Sequence, residues 1–267
     1  MQRVRSRFLH PDRSRHGSLQ SCIRTTDLPH IGDGSHLTYF QMLGNFSFGR
    51  GDFPESVRLW DFVLCDLGIQ SKVTEVHVHP SRNDHRLLWE RMGYPTVPDL
   101  SCEWTDGIIG GQCCELFVGT LEIGNLVNPL GHSTDVGFGL ERLVQTIEGV
   151  NRVDQSSLFR QELHPVVRDH VRTIEVLFRN GIPPGNKGRP YVCRRLIRRM
   201  IPFLGAGEER FLFDSWLHRE RQLRDENLRR GRRMIGRRKF RDRPDEFWWE
   251  SFGLLPEEVR QLREEVS

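Results

Sequence analysis

Nowhere in this 267-residue chain does an apolar run approach the roughly 18 to 20 residues that a membrane-spanning helix requires, so no membrane partner is expected. The first 24 residues carry six arginines with no apolar stretch behind them, which argues against a secretory signal and for the cytoplasm. No CxxC pair is followed by a second. The six cysteines stand at 22, 65, 102, 113, 114 and 193, and only Cys113 and Cys114 are close. Adjacent cysteines rarely share a metal, so reduced, mostly buried thiols are expected and no zinc site. His77 and His79 do not change that, because zinc needs a third ligand and none is near. Internal repeats, long low-complexity linkers and any Ser-His-Asp or Cys-His pattern for covalent catalysis are also missing.

What is present is an ordinary globular composition, 37% hydrophobic and 28% charged, in a chain long enough for one large domain or two smaller ones. The net charge of +3 conceals an uneven distribution. Between Arg219 and Arg243 twelve basic residues stand against four acids, so the rest of the chain is net acidic. Such a block meets phosphate, as in RNA, or forms a solvated helix face, and charge alone does not separate the two.

The order of elements reads as sheet first, helices second. Residues 1–20 are basic, polar and expected to be disordered. Residues 21–48 read as two strands around a loop, the second being "HLTYFQML". Val57, Trp60, Val63 and Leu64 space a helix over 54–68, and "TEVHVHP", "CCELFVG" and "LEIGNLVN" read as strands. "DVGFGLERLVQTIEGV" passes from strand end into a helix that Gly149 stops. Val167, Val171, Ile174 and Phe178 mark a helix ending at Asn180-Gly181. Pro190 opens another, with Val192, Leu196 and Met200 in a stripe. A third helical stretch covers about 206–240, and two short helices bearing Trp248 and Trp249 close the chain. The expected division is a mixed α+β domain over 21–160 and a helical one over 161–267.

Two clusters carry possible chemistry. In the first, Arg24 precedes a glycine-bearing turn and His36 and Phe40 follow it, four apart on the expected return strand and so on one face. Arginine suits phosphate through its fork of donors, and a flat ring suits a nucleobase. Taken alone, the stretch reads equally as a hairpin with a surface cation and a core phenylalanine. In the second cluster Asp135 precedes Gly137 and Gly139, and Arg142 follows. Glycines let backbone approach a ligand, Asp135 suits an ammonium and Arg142 a terminal phosphate; the pattern is also that of a tight strand-to-helix turn.

Side by side, these segments resemble the class II aminoacyl-tRNA synthetases. "R…HLTYF" fits their motif 2 and "GFGLER" their motif 3. More specifically, "QMLGNFSFG" resembles the signature of the alanyl-tRNA synthetase family, with Gln41 where that family usually has Glu. "EIGNLV" is similar to its Glu-Ile-Trp-Asn strand with Gly124 for Trp, and "DVGFGLER" to its Asp-Thr-Gly-Met-Gly-Leu-Glu-Arg. "RDHVRTIEVLFRNGIPPGNKGRPYVCRRLIRR", "RERQLRDENLRRG" and "FWWESFGLLPEEV" resemble its tRNA-recognition helices.

The resemblance implies a class II antiparallel sheet flanked by helices, followed by a helical tRNA-recognition domain. It implies ATP and Mg2+ as cofactors, with Arg24 and Arg142 as the catalytic pair. Arg24 binds the α-phosphate, His36 sits near the outer phosphates, Phe40 stacks on adenine and Arg142 holds the γ-phosphate. Glu122 contacts ATP and its Mg2+. Trp104, Asn125, Asp135 and Gly137 form the pocket for alanine or a similar small amino acid, with Asp135 on its ammonium. Asn186, Arg194 and Arg195 meet a tRNA acceptor stem; no DNA partner is implied.

The expected activity is ATP-dependent formation of an aminoacyl-adenylate and transfer to tRNA. The substrate carboxylate attacks phosphorus and pyrophosphate leaves, so charge and positioning suffice without a general base. Motif 1, the editing domain and the C-terminal domain of that family have no counterpart here, and a monomer is expected. These departures leave two alternatives open: the same adenylation with a small molecule or carrier protein as acceptor, and a catalytically inactive RNA-binding paralogue.

Overall fold

Glycine-rich strands that must lie flat against one another set the architecture of the first half. The computed structural model describes residues 2–204, 214–237, 240 and 242–266, without the side chains of 2–4, 214–219, 221, 249, 250 and 266. Strands β1 (Arg15–Ile23), β2 (Tyr39–Ser47), β3 (Glu75–Val78), β4 (Thr96–Pro98), β5 (Glu103–Thr105), β6 (Gly110–Val118), β7 (Leu121–Val127) and β8 (Thr134–Gly139) form a sheet ordered β1-β2-β8-β7-β6-β3-β4, with β5 paired to β6. The pairings are antiparallel except β3 with β4, which run parallel, so the expected antiparallel sheet is a mostly antiparallel mixed one.

Side chains alternate across the sheet, and the two faces differ in kind. On one face Val76, Cys114, Leu116, Leu126, Val136 and Phe138 pack under helices α2 (Phe53–Asp66) and α3 (Asn83–Arg91), with Trp60 and Trp89 buried among them. This is the main core. Asn45 shares that face and accepts a hydrogen bond from Trp60 Nε1 at 2.8 Å. On the other face a smaller cluster of Phe8, Phe46, Phe48 and Ile109 covers one end, with Trp104 against it.

Close backbone approach explains the flat centre. Gly44 of β2 faces Gly137 of β8, and a Cβ on Gly44 falls 1.7 Å from the Val136 carbonyl oxygen. Gly124 of β7 faces Phe138 of β8; a Cβ there falls 2.4 Å from the phenyl ring, which also stacks on Trp60 at 4.2 Å. Phe138 thus fills the space over Gly124.

The basic N-terminal segment does not match its expectation. Gln2–Leu9 is helix α1, Phe8 is buried, and β1 begins at Arg15, six residues before the expected strand start at 21. Apolar Phe8, caught by Phe46 and Phe48, outweighs the surrounding charge. Helix α4 (Leu140–Glu148) follows β8 directly and stops at Gly149, whose φ of +69° needs no Cβ.

The chain divides into residues 1–24 with 34–158, and residues 25–33 with 159–267. The break falls at Leu158 rather than 160, and Thr25–Asp33 belongs to the second unit because Leu28 and Ile31 are buried in its core. That unit comprises α5 (Pro165–Arg179), α6 (Gly188–Met200), α7 (Asp214–Ile235), α8 (Asp245–Phe252) and α9 (Pro256–Val266). Val167, Val171 and Ile174 of α5 meet Leu196 and Met200 of α6, as their spacing predicts, but Leu177 is buried in the place expected for Phe178. Helix α6 starts at Gly188, so Pro190 stands inside the first turn. The expected stretch 206–240 is α7 over its described part; residues 205–213, 238 and 239 lie outside the description. Trp248 is buried with Phe252 and Val259, while the Trp249 side chain lies outside the described residues.

Candidate active site

The face of the sheet opposite α2 and α3 gathers most of the expected site. Along β8, Asp135, Gly137 and Gly139 share this face, opposite Phe46, Gly44 and Met42 of β2. On the other flank Val127 and Asn125 of β7 stand opposite Asp135 and Gly137. Four residues of strand separate Asp135 from Gly139, about 13 Å of rise. Asp135 and Asn125 therefore mark one end of a glycine-floored strip, and the start of α4 the other.

Asp135 is the most distinctive group. Phe46 and Val127 stand beside it in the sheet register, and Trp104 of β5 packs against the apolar clusters containing both. This collar removes water, and burial pushes the Asp135 carboxyl up to about 6. No hydrogen bond or cation offsets that burial among the described residues. The arrangement suits a small ligand bearing its own positive charge.

At the other end, Arg142 of α4 reaches across to β7. Its Nη1 donates to the Glu122 carbonyl at 2.6 Å and lies 3.2 Å from the Glu122 carboxylate. Arg24 stands one residue beyond β1, past the strand on which it was expected, and its N–H donates to the Thr38 carbonyl at 2.9 Å. The exposed guanidinium sits 5.3 Å from the centre of the Phe40 ring, so cation and aromatic plane form one unit. His36 is a correction: β2 begins at Tyr39, leaving His36 half-buried in the preceding loop rather than on a shared strand face with Phe40. The turn residues Gly32 and Gly34, both with positive φ, keep the chain out of extended geometry until Tyr39.

Two residues at this face escaped the sequence reading. Glu141, 1% exposed, accepts the Gln41 N–H at both carboxylate oxygens, 3.2 and 3.0 Å, and so fixes α4 to β2. Its signal was its place beside Arg142 in "GLER". Glu115 of β6 faces Asn125 in the register, and burial, then the nearby Glu122, push its carboxyl up. Cys102, Cys113 and Glu115 place their ligand atoms within 4.8 Å of one another. The Cys102 thiol and burial raise the Cys113 pKa, which keeps that thiol protonated. The structure thus groups Cys113 with Cys102 and not with its neighbour Cys114. His77 lies between Asp99 (2.9 Å) and Glu75 (3.1 Å), a local network rather than half of a metal pair with His79.

In the helical unit one of the expected RNA contacts, Arg194, is turned inward, while Asn186 stays exposed. Arg194 donates to the Asn186 side chain and its Nε lies 2.7 Å from Glu220, a carboxylate 1% exposed. Arg198 donates to the Phe252 carbonyl at 2.8 Å. Arg195 is half-buried on α6. No helix of the described residues is long and apolar enough to cross a membrane.

The family of class II (A) tRNA synthetases matches residues 4–120 and 127–213. Among curated proteins, the alanine--tRNA ligase of Magnetococcus marinus is 30% identical over 269 residues, covering 74% of this chain and 31% of that protein. The alanine--tRNA ligases of Tropheryma whipplei and Desulfitobacterium hafniense are 29% and 30% identical, covering 72% and 74% of this chain. The chain spans about 30% of the length of these relatives.

Proposed function

The chain belongs to the class II tRNA synthetases of the alanyl type, and from that premise we infer that it activates alanine, or a similar small amino acid, with ATP. The product is an aminoacyl-adenylate, and a tRNA acceptor end receives the aminoacyl group. The observation that carries this reading is Asp135, a half-buried, desolvated carboxylate without a cation among the described residues, flanked by Phe46 and Val127 in the sheet, with Trp104 packed on the clusters that hold both. A small α-amino acid supplies the missing ammonium, and Asn125 stands beside it on β7.

Each remaining residue has a task in this scheme. Phe40 stacks on adenine while Arg24 binds the α-phosphate and stabilises the charge that develops there. Arg142 leaves Glu122 to hold the γ-phosphate, and His36 approaches the outer phosphates from its loop. The freed Glu122 carboxylate is an oxygen donor of the kind Mg2+ selects, and Mg2+ when bound neutralises phosphate charge. The attacking group is the substrate's own carboxylate, so the two arginines act by charge and position.

Alanine-dependent exchange of labelled pyrophosphate into ATP tests the first step. Exchange by the folded protein is the expected result; none with alanine, serine or glycine overturns the reading. A second reading keeps the adenylation and changes the acceptor to a small molecule or carrier protein. The tie of Arg194 to the buried Glu220 favours it, since that guanidinium is spent on the fold of the helical unit. Exchange without charging of alanine tRNA selects that second reading.

A further inference from the structure

An open cleft of about 570 Å³ lies between α2, α3 and the turn after β7. That volume is within the range of small-molecule sites. Its lining includes Phe53 and Arg58 of α2, Arg82, His85 and Arg91 around α3, and Asn128. Three features of this lining point to a ligand.

First, His85 is 2% exposed and its Nε2 has no hydrogen-bond partner; the nearest carboxylate oxygen, on Asp84, is 3.9 Å away. Its ring stacks on Phe53 at 3.9 Å, and Nδ1 lies 3.7 Å from the Cys114 sulfur. Burial lowers the His85 pKa to about 4 and raises that of Cys114 to about 12, so a neutral imidazole faces an intact thiol. With the thiol as donor to Nδ1, the proton sits on Nε2, a buried polar atom in want of a partner. Second, Asn128 is 3% exposed and its Oδ1 is equally unpartnered. Third, the charge is one-sided. Asp84, the acid in the lining, is held by Arg82 through two hydrogen bonds of 2.9 and 2.8 Å. Arg58 and Arg91 line the cleft and have no carboxylate partner among the described residues.

We propose that this cleft is a second binding site, for a small phosphate ester that carries hydroxyl groups. Arg58 and Arg91 take the phosphate, with His85 Nε2–H donating to one of its oxygens. Asn128 takes a hydroxyl, and the Phe53–His85 stack forms the floor. Two buried polar groups cost free energy while they lack partners, and an occupant removes that cost. The site shares no residue with the adenylation face, so its ligand acts on the protein without competing for ATP.

Ribose 5-phosphate and inorganic phosphate, titrated into the full chain by calorimetry, test this. Both bind wild type saturably, ribose 5-phosphate more tightly. Arg58→Ala/Arg91→Ala, a change of exposed side chains that leaves the fold intact, weakens both by roughly tenfold or more. Asn128→Ala weakens ribose 5-phosphate alone, and Arg24→Ala weakens neither. Absence of saturable binding to folded wild type, an unchanged Kd in the arginine double variant, or loss on Arg24→Ala overturns the proposal. Equal effects of Asn128→Ala on the two probes overturn the hydroxyl assignment.

Discussion

Arg142 is held by Glu122 across 20 residues of chain, its Nη1 2.6 Å from the carbonyl and 3.2 Å from the carboxylate of the same residue. Both side chains are about one-third exposed, at 34% and 35%, so the pair contributes little to stability, on the order of 0–1 kcal/mol. What the pair does is store the guanidinium at the rim of the strip. Arg142→Lys keeps the charge and loses the fork. Pyrophosphate exchange is expected to fall by roughly tenfold or more while the melting temperature stays within a few degrees. An exchange rate equal to wild type would remove Arg142 from the site.

Glu141 does the opposite work, inside the protein. Its carboxylate holds the Gln41 N–H, and so sets the height of Phe40 relative to Arg142. Glu141→Gln keeps one acceptor and is expected to fold with a loss of about 1–3 kcal/mol. The KM for ATP should rise more than the KM for alanine, because the ATP end of the strip shifts. Equal changes in the two, at unchanged stability, contradict a positioning role.

Gly124 and Phe138 form a complementary pair. A Cβ at 124 meets the Phe138 ring at 2.4 Å, so Gly124→Ala is expected to cost about 1–3 kcal/mol through overpacking. Phe138→Leu alone opens space under Trp60 and also destabilises. The double variant should be more stable than the sum of the two losses by about 1 kcal/mol or more. Denaturant midpoints of the four proteins check this, and simple additivity refutes the steric account.

How far the sequence carried depends on the kind of signal. The glycine pattern of "DVGFG" marked β8, and "HLTYFQML" marked β2 although the strand starts three residues later, at Tyr39, since alternation and close approach are local properties. Asp135 was likewise legible, but its raised pKa was not: that arises from Phe46, Val127 and Trp104, which lie far apart in sequence. His36 was misplaced because a strand's start depends on where its partner ends, and β1 stops at Ile23. Helix α3 was not read at all, its buried His85 and Trp89 giving too short a period to detect. The inward use of Arg194 was invisible for the same reason as the collar: Glu220 lies on another helix.

That last contact separates two neighbouring arginines. Glu220 is buried, so Arg194→Ala leaves a carboxylate uncompensated and is expected to cost about 3 kcal/mol or more. Arg195→Ala is expected to weaken tRNA-dependent transfer. Chemical denaturation alongside charging assays distinguishes the pair. Transfer unaffected by Arg195→Ala counts for the second reading of the acceptor.

The Asp135 carboxyl yields the prediction with the clearest sign. Its folded pKa, about 6, lies above the ordinary 3.8. The folded state therefore binds this proton more tightly than the unfolded chain does. The stability this lends is fully present below about pH 3.8 and is lost as pH rises through 6. Asp135→Asn keeps the shape and never ionises. It is expected to be more stable than wild type at pH 8, by up to about 3 kcal/mol, with the difference shrinking toward zero below pH 4. The same variant should lose pyrophosphate exchange, because the amide cannot balance an ammonium. In wild type, alanine restores the missing charge partner, so saturating alanine should raise the melting temperature at pH 8 and fail to do so in Asp135→Asn. Paired thermal unfolding curves from pH 4 to 8, with and without alanine, read all of these at once. A variant less stable than wild type at pH 8 would mean that Asp135 has a cation of its own.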